Sequence, residues 1–309
     1  MKRISFVIPC YGSENTIEGV VNEVIDVSNK INIIDYEVIL VNDCSPDGVW
    51  NIIKKMVNDN SKIKGICLSR NFGQHSALMA GYAACSGEYI VSLDDDGQTP
   101  IDELPKLLNK LEEGYDVVYA YYEEIKQKWY RKFGTRIADK MNEAMIGMPK
   151  GNKGSSFYAM KRFVKDEMLR YGNAYPYLAG LVYRTTKNVA CVPAHHRSRI
   201  EGKSGYSLGK LFGLWFNGFS AFSSKPLAFS AYTGIIIAGI GFIYAIIIFI
   251  KRIMGLTNIE GWSTLVILIL IIGGIILLSL GLIGEYIGRI YISINNAPQY
   301  VVKEYLDNE

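Results

Sequence analysis

Three consecutive aspartates, Asp94, Asp95 and Asp96, follow the apolar run EYIVSL within the segment SLDDDGQTP. Like charges this close repel each other and destabilise a compact loop unless something offsets them. Carboxylates at i and i+2 of an extended segment point the same way. Asp94 and Asp96 therefore face one side together with Gln98, and Asp95 faces another. This set suits a hard divalent cation, Mg2+ or Mn2+, which typically shares its shell with substrate phosphates. Such a cation offsets the repulsion and, as a Lewis acid, neutralises a departing diphosphate. A solvated acidic loop capping the helix after Thr99 is the competing reading; the buried strand that leads into the aspartates favours the metal. The alternation also predicts that Asp95→Ala is far milder than substitution of either neighbour.

Strands and helices must position these residues. ISFVIP (4–9), YEVILVN (36–42), KGICLS (64–69), YIVSL (89–93) and YDVVYAYY (115–122) read as strands. Helical spacing covers 13–29, with Ser13 or Asn15 as cap, and then 46–59, 73–87 and 100–114. The last has Thr99 as N-cap and Pro100 at its first position. Near-continuous apolar strands joined by helices predict an α/β domain, a mostly parallel sheet covered on both faces. Ligands of such sheets bind outside the carboxyl ends of the strands. The polar residues after successive strands then belong together: Tyr11 and Glu14, then Asn42, Asp43, Ser45 and Asp47, then Arg70, Asn71 and Gln74, then the aspartates. No GxGxxG follows the first strand and no GxxxxGKS or GxxxxGKT occurs, which argues against dinucleotide binding and P-loop hydrolysis.

Beyond residue 122 the pattern loosens. QKWYRKFGTRIADKMNEAM (127–145) reads as a basic amphipathic helix and KGNKGSSFYAM (150–160) as a glycine-containing loop entering a strand. That loop is read either as a mobile acceptor loop or as an ordinary turn. Helices at about 161–171 and 176–187 and a strand at 188–196 follow. His195 and His196 end that strand on opposite faces, so a metal pair is not expected; His75 reads as a capping or supporting residue. The segment 201–226 starts basic and flexible and continues with Phe212, Trp215, Phe216, Phe219 and Phe222. It reads as a helix lying in a membrane interface, with a core helix as the alternative.

Composition is 49% hydrophobic, and mean hydropathy is slightly positive. No charged residue occurs from Pro226 to Ile250 or from Gly261 to Gly284. Each run exceeds the roughly 20 apolar residues that span a bilayer. Core helices would show a polar face, and these runs show none. The expected division is a catalytic domain over 1–200, an interfacial segment over 201–226, transmembrane helices at about 227–250 and 262–284, and a C-terminal tail over 285–309. The basic N-terminus leads into an apolar stretch too short for a signal peptide, so the first domain and the tail are expected in the cytosol. Lys251 and Arg252 then lie outside, against the positive-inside preference. The five cysteines show no CxxC spacing and are expected to be reduced. A net charge of +3 does not suggest nucleic acid.

VIPCYGSENT, LVNDCSPD, LSRNFGQHSALMAGYAACSGEYIVSLDDDGQTP and the tail GLIGEYIGRIYISINNAPQY resemble family 2 glycosyltransferases of the polyprenyl-phosphate type. The resemblance covers nearly the whole chain. It implies a GT-A fold, divalent metal, and inverting transfer of sugar from a nucleotide sugar to a lipid phosphate at the cytosolic membrane face, by a tetramer. By position, Pro9, Tyr11, Glu14 and Asp43 fall where the family holds the nucleoside, and Asp94 and Asp95 are assigned to the donor beside them. Asp94, Asp96 and Gln98 match its metal site. Arg131 and Arg199 match basic residues that hold phosphates, and with Lys203 and Asp96 they form the catalytic set. Two positions depart from the family: Tyr122 stands in place of an arginine, and Gly205 in place of a lysine for which Lys203 substitutes.

The expected activity is therefore synthesis of a lipid-linked monosaccharide on undecaprenyl phosphate in the inner membrane. A synthase that extends a polysaccharide is an alternative, but QKWYRKF does not match its QxxRW motif. A non-enzymatic membrane scaffold is another, opposed by the intact acidic residues.

Overall fold

The computed structural model describes residues 2–122, 148–149, 154–195, 225–254, 261–295 and 297–308. Two compact units emerge, Met1–Leu214 together with Asn296–Glu309, and Trp215–Asn295. The first is built from β1 (Ile4–Cys10), α1 (Ile17–Lys30), β2 (Tyr36–Asn42), α2 (Val49–Asp59), β3 (Ile63–Leu68), α3 (Gln74–Ala84) and β4 (Tyr89–Ser92). A short 3-10 turn (Ile101–Glu103), α4 (Leu104–Glu112), β5 (Val117–Tyr122), β6 (Tyr158–Lys161), α5 (Arg162–Leu169), α6 (Leu178–Thr185) and β7 (Val189–Ala194) follow. The second unit holds α7 (Lys225–Ile253) and α8 (Trp262–Ile294), after which β8 (Val302–Leu306) rejoins the first.

One eight-stranded sheet runs in the order β7-β5-β6-β4-β1-β2-β3-β8. β4, β1, β2 and β3 pair in parallel, as do β5 and β7, whereas β6 and β8 are antiparallel to their neighbours. Every residue of β1 and β2 is buried, the pattern of strands covered on both faces. Ile4, Phe6, Ile8 and Cys10 pack with α1, α2 and α4 on one face. On the other lies α3, buried from Ser76 to Tyr82. A Cβ at Gly81 would stand 2.3 Å from the Val7 side chain, so the bare glycine lets α3 sit directly on the strands.

Three boundaries differ from expectation. Helix α1 starts after Thr16, with no side-chain cap from Ser13 or Asn15. After Pro100 the chain makes a 3-10 turn first, and α4 begins at Leu104 with Pro105 in its first turn. The C-terminal residues are not a free tail: α8 continues through Ile294 and β8 then pairs with β3. Trp50 Nε1 donates to Glu304 at 3.0 Å, Lys54 pairs with Glu304 at 2.8 Å, and Lys64 pairs with Asp307 at 2.9 Å. Polar periodicity hid this strand, because an edge strand needs few apolar residues.

In the second unit, α7 and α8 carry apolar stretches long enough to cross a membrane, Ser230–Ile248 and Ile271–Ile294. Ile235 is 67% and Leu277 70% exposed, so these side chains have no protein core around them. Ser230 donates to Ser279 across the pair at 2.8 Å. Small residues and serine pairs are the usual adhesive between helices in lipid.

At the amino-terminal side of the sheet, Glu37 is almost wholly buried. It accepts from Ser5 Oγ at 2.6 Å, Ser86 Oγ at 2.8 Å and Arg3 at 3.3 Å. Burial pushes its pKa up, but these donors outweigh burial and hold it below the ordinary glutamate value. A carboxyl held low contributes stability above its unfolded pKa, and that contribution is lost as pH falls through the folded value. Glu37→Gln is expected to cost about 1–3 kcal/mol at neutral pH, because Ser5 and Ser86 lose a charged acceptor and Lys64 loses one of its two carboxylates. Denaturant titration from pH 7 down to about 3 should show a flatter acid loss than in the parent.

Candidate active site

The loops leaving β1, β2, β3 and β4 meet at the carboxyl edge of the sheet, and so does the loop entering β6, because β6 runs the opposite way. Most of the carboxylates gathered there are held by a donor from another loop. Asp43, 3% exposed, accepts from the Phe72 N–H at 2.7 Å and the Gly73 N–H at 2.8 Å. Gly73 has φ +90, a conformation that favours glycine, and this turns two successive amides towards one carboxylate. Burial raises the Asp43 pKa, and the two amides oppose the rise. Across the cleft, Glu14 accepts from the Gly48 N–H and Asp47 accepts from the Glu14 N–H, both at 2.9 Å. Ser45 Oγ accepts from Gly12 at 2.8 Å and donates to Asp47 at 2.6 Å. Between them Cys44 is exposed at φ 53, backbone strain of the kind found at binding loops.

The three aspartates divide. Asp94 accepts from Gln74 Nε2 at 2.8 Å through one oxygen and from Ser156 Oγ through the other. Asp95 turns the opposite way and accepts from the Tyr11 N–H at 2.9 Å, while its carbonyl accepts from Thr16 at 2.6 Å. Burial lifts the Asp95 pKa to about 6, against the pull of the Tyr11 amide. Asp96 accepts from the Gln98 N–H at 3.0 Å. Strand β4 ends at Ser92, and Gly97, at φ +72, turns the chain after the third aspartate.

Of the residues expected here, Tyr11, Glu14, Asp43, Asp94, Asp95, Asp96 and Gln98 stand on adjoining loops. Pro9 is buried in β1 opposite Val41, behind the edge. His195 is exposed at the end of β7, 3.6 Å from Glu103. Arg131, Arg199, Lys203 and His196 lie outside the described residues, as do the helix over 127–145 and most of the interfacial segment. Ser156 was not anticipated. Its signal was the serine pair entering β6, meaningful only once that strand is known to run antiparallel between β4 and β5.

Residues 5–170 match the model of glycosyl transferase family 2. The chain belongs to that family. Residues 225–290 match the GtrB C-terminal hairpin. An undecaprenyl-phosphate 4-deoxy-4-formamido-L-arabinose transferase of Aeromonas hydrophila is 31% identical, over 98% of this chain and 94% of its own. YkcC of Bacillus subtilis, an uncharacterized glycosyltransferase, is 34% identical over 97% of this chain and 93% of its own. Glucosyl-3-phosphoglycerate synthase from Mycobacterium tuberculosis, crystallised with Mn2+ and UDP-glucose, shares the fold. Its TM-score is 0.53 at 20% identity, over 71% of this chain and 77% of that one. The glycosyltransferase fold is thus GT-A-like, as the sequence resemblance implied, with an apolar helical pair appended.

The donor set at Asp94 and Asp96 fits a hard cation by its chemistry: carboxylate oxygens, half-exposed, at the ligand-binding edge. Among the described residues no group of three or more His, Cys, Asp and Glu gathers to hold a metal by itself. A site of one or two carboxylates suits Mg2+ or Mn2+ when substrate phosphates complete the shell.

Asp95 has acquired a positional task. Its half-buried carboxylate fixes the Tyr11 amide, so truncation removes a charge-assisted bond that orients the first loop. Asp95→Ala is expected to lose about 1–3 kcal/mol of stability, more than the alternation alone suggested. Asp95→Asn keeps an acceptor oxygen without the half-buried charge and should unfold no earlier than the parent. Thermal midpoints of the two variants, with and without nucleotide, check this.

Proposed function

We propose that this glycosyltransferase moves a sugar from a nucleotide sugar to undecaprenyl phosphate, with inversion, at the cytosolic face of the inner membrane. The observation that carries the reading is one chain joining an acidic, donor-type edge to two helices of bilayer length. Support comes from the Aeromonas relative, whose name specifies an undecaprenyl-phosphate acceptor, and from the Mn2+ and UDP-glucose held by the mycobacterial neighbour. The product is a lipid-linked monosaccharide for surface glycans, and the working form is a homo-oligomer, a tetramer by family resemblance.

Tyr11, Glu14 and Asp43 stand around the cleft where the nucleoside binds. Asp94 and Asp96, with Gln98, would hold Mg2+ or Mn2+, which supplies Lewis-acid neutralisation of the leaving diphosphate. Arg131, Arg199 and Lys203 are assigned to the phosphates, where arginine's planar fork suits the oxygens. A polyprenyl phosphate carries its charge near neutral pH, its second pKa being about 6 by analogy with phosphoamino acids. It needs orientation more than a general base. One phosphate oxygen attacks the anomeric carbon from the side opposite the diphosphate. The new C–O bond forms as the bond to the diphosphate breaks, and the configuration inverts.

Asp96→Asn is expected to lower transfer to undecaprenyl phosphate by ~10²–10³-fold while nucleotide-sugar binding persists. Mass spectrometry of lipid products, with UDP-, GDP- and dTDP-sugars offered in Mn2+, reads this directly. Equal activity after chelation of divalent metal would remove the metal from the mechanism. No product from any donor would favour a scaffold.

A further inference from the structure

Beside Asp94 lies a cavity of about 380 Å³, at the carboxyl edge between the start of α3, the start of β6 and α6. We propose that this cavity receives the donor's sugar ring, that it accepts only uncharged sugars, and that His75 selects among them. The inference rests on the donor reading above and deepens it.

Position comes first. Gln74 and Ser156 line the cavity, and both donate to Asp94. A diphosphate held at Asp94 and Asp96 therefore places the ring attached to it at this opening. Size agrees. Small-molecule pockets run from roughly 300 to 1,000 Å³, so this one holds a single ring and a few waters, not a nucleotide.

The lining sets the class of sugar. Tyr119, Tyr177 and Tyr183 contribute aromatic surface, which suits the apolar faces of a sugar ring. Among the described residues that line the cavity there is no Asp, Glu, Lys or Arg. A uronic carboxylate or a free ammonium entering here loses water and meets no opposite charge on these lining side chains. Hydroxyl, acetamido and other neutral groups carry no such penalty.

His75 supplies direction. Its Nδ1 lies 3.1 Å from the Pro176 carbonyl oxygen. A carbonyl only accepts, so Nδ1 carries the hydrogen. Burial lowers the pKa of this imidazole, against the pull of the Pro176 carbonyl, and the ring is neutral at pH 7. Nε2 is then a lone-pair acceptor. The ring is fixed from two sides, by Pro176 and by Tyr177, whose ring centre is 5.8 Å away. A fixed acceptor in a half-dry cavity rewards a sugar hydroxyl or amide N–H at one position. It discriminates more sharply than shape alone, because its loss leaves a polar atom unpaired.

The test is equilibrium binding to the full chain in detergent with Mn2+. Free UDP, GDP and dTDP are compared with neutral and uronic sugars on the same nucleotide, such as UDP-glucose against UDP-glucuronate and GDP-mannose against GDP-mannuronate. Within the nucleotide series that binds, the neutral sugar should bind roughly 100-fold more tightly than its uronate. His75→Ala should weaken the neutral sugar nucleotide about tenfold, leave free nucleotide within about twofold, and level the preference between epimers such as UDP-glucose and UDP-galactose. His75→Gln, whose amide oxygen accepts, should restore part of it. A uronate that binds as well as its neutral partner overturns the inference. So does a His75→Ala loss that falls equally on free nucleotide, which would mark His75 as structural. Tight binding of neutral donors without any lipid product refutes the proposed reaction and leaves the cavity assignment standing. Lipid product from neutral and uronic donors alike does the reverse, and binding of no sugar nucleotide overturns both.

Discussion

Carboxylates gathered at one edge of a sheet repel one another, and the loops of the catalytic unit are arranged around that repulsion. At about 4 Å two like charges near a protein surface cost roughly 4 kcal/mol. A hydrogen bond to a charged group returns about 1.5–3 kcal/mol. Donors of this strength offset repulsion of that size when a carboxylate has two of them. Asp43 has two amides, Asp94 has Gln74 and Ser156, and Asp95 has the Tyr11 amide. Asp94 and Asp96, half-exposed, keep their carboxylates open to the ligand-binding edge.

These donors come from distant parts of the chain, so the sheet must hold its loops in fixed register for the site to exist. Helix α3 shows how the core does this. It lies directly on β1 and β2 because Gly81 leaves room for Val7. Its first turn then carries Gln74 to Asp94 and His75 to the cavity wall. The Asp43 bonds to Phe72 and Gly73 fix the loop that starts this helix. One buried carboxylate in the second loop thereby positions side chains that act at the fourth.

What was legible in the sequence follows from the range of the interactions. The parallel strands and covering helices are written in local apolar runs, and their carboxyl ends located Tyr11, Asp43 and the aspartates. That Asp95 parts from Asp94 was also legible: the two carboxylates take their donors from different loops. The partners were not. Ser156 meets Asp94 only because β6 is wedged antiparallel between β4 and β5, a pairing that four residues of strand do not announce. Thr16 was hidden for a similar reason: at the start of α1 it donates to the Asp95 carbonyl, a contact that only the topology brings about. β8 was hidden because its residues, VKEYL, carry the polarity of an edge strand.

That last strand constrains topology more firmly than charge bias does. β8 follows the apolar helices in sequence yet belongs to the sheet that precedes them. A chain that leaves a folded sheet and crosses a bilayer must cross again before it can pair with that sheet. α7 and α8 supply the two crossings, and a single crossing would leave Glu304 and Asp307 unable to reach Lys54 and Lys64. The basic Lys251 and Arg252 at the far end of α7 are then an exception tolerated by the fold.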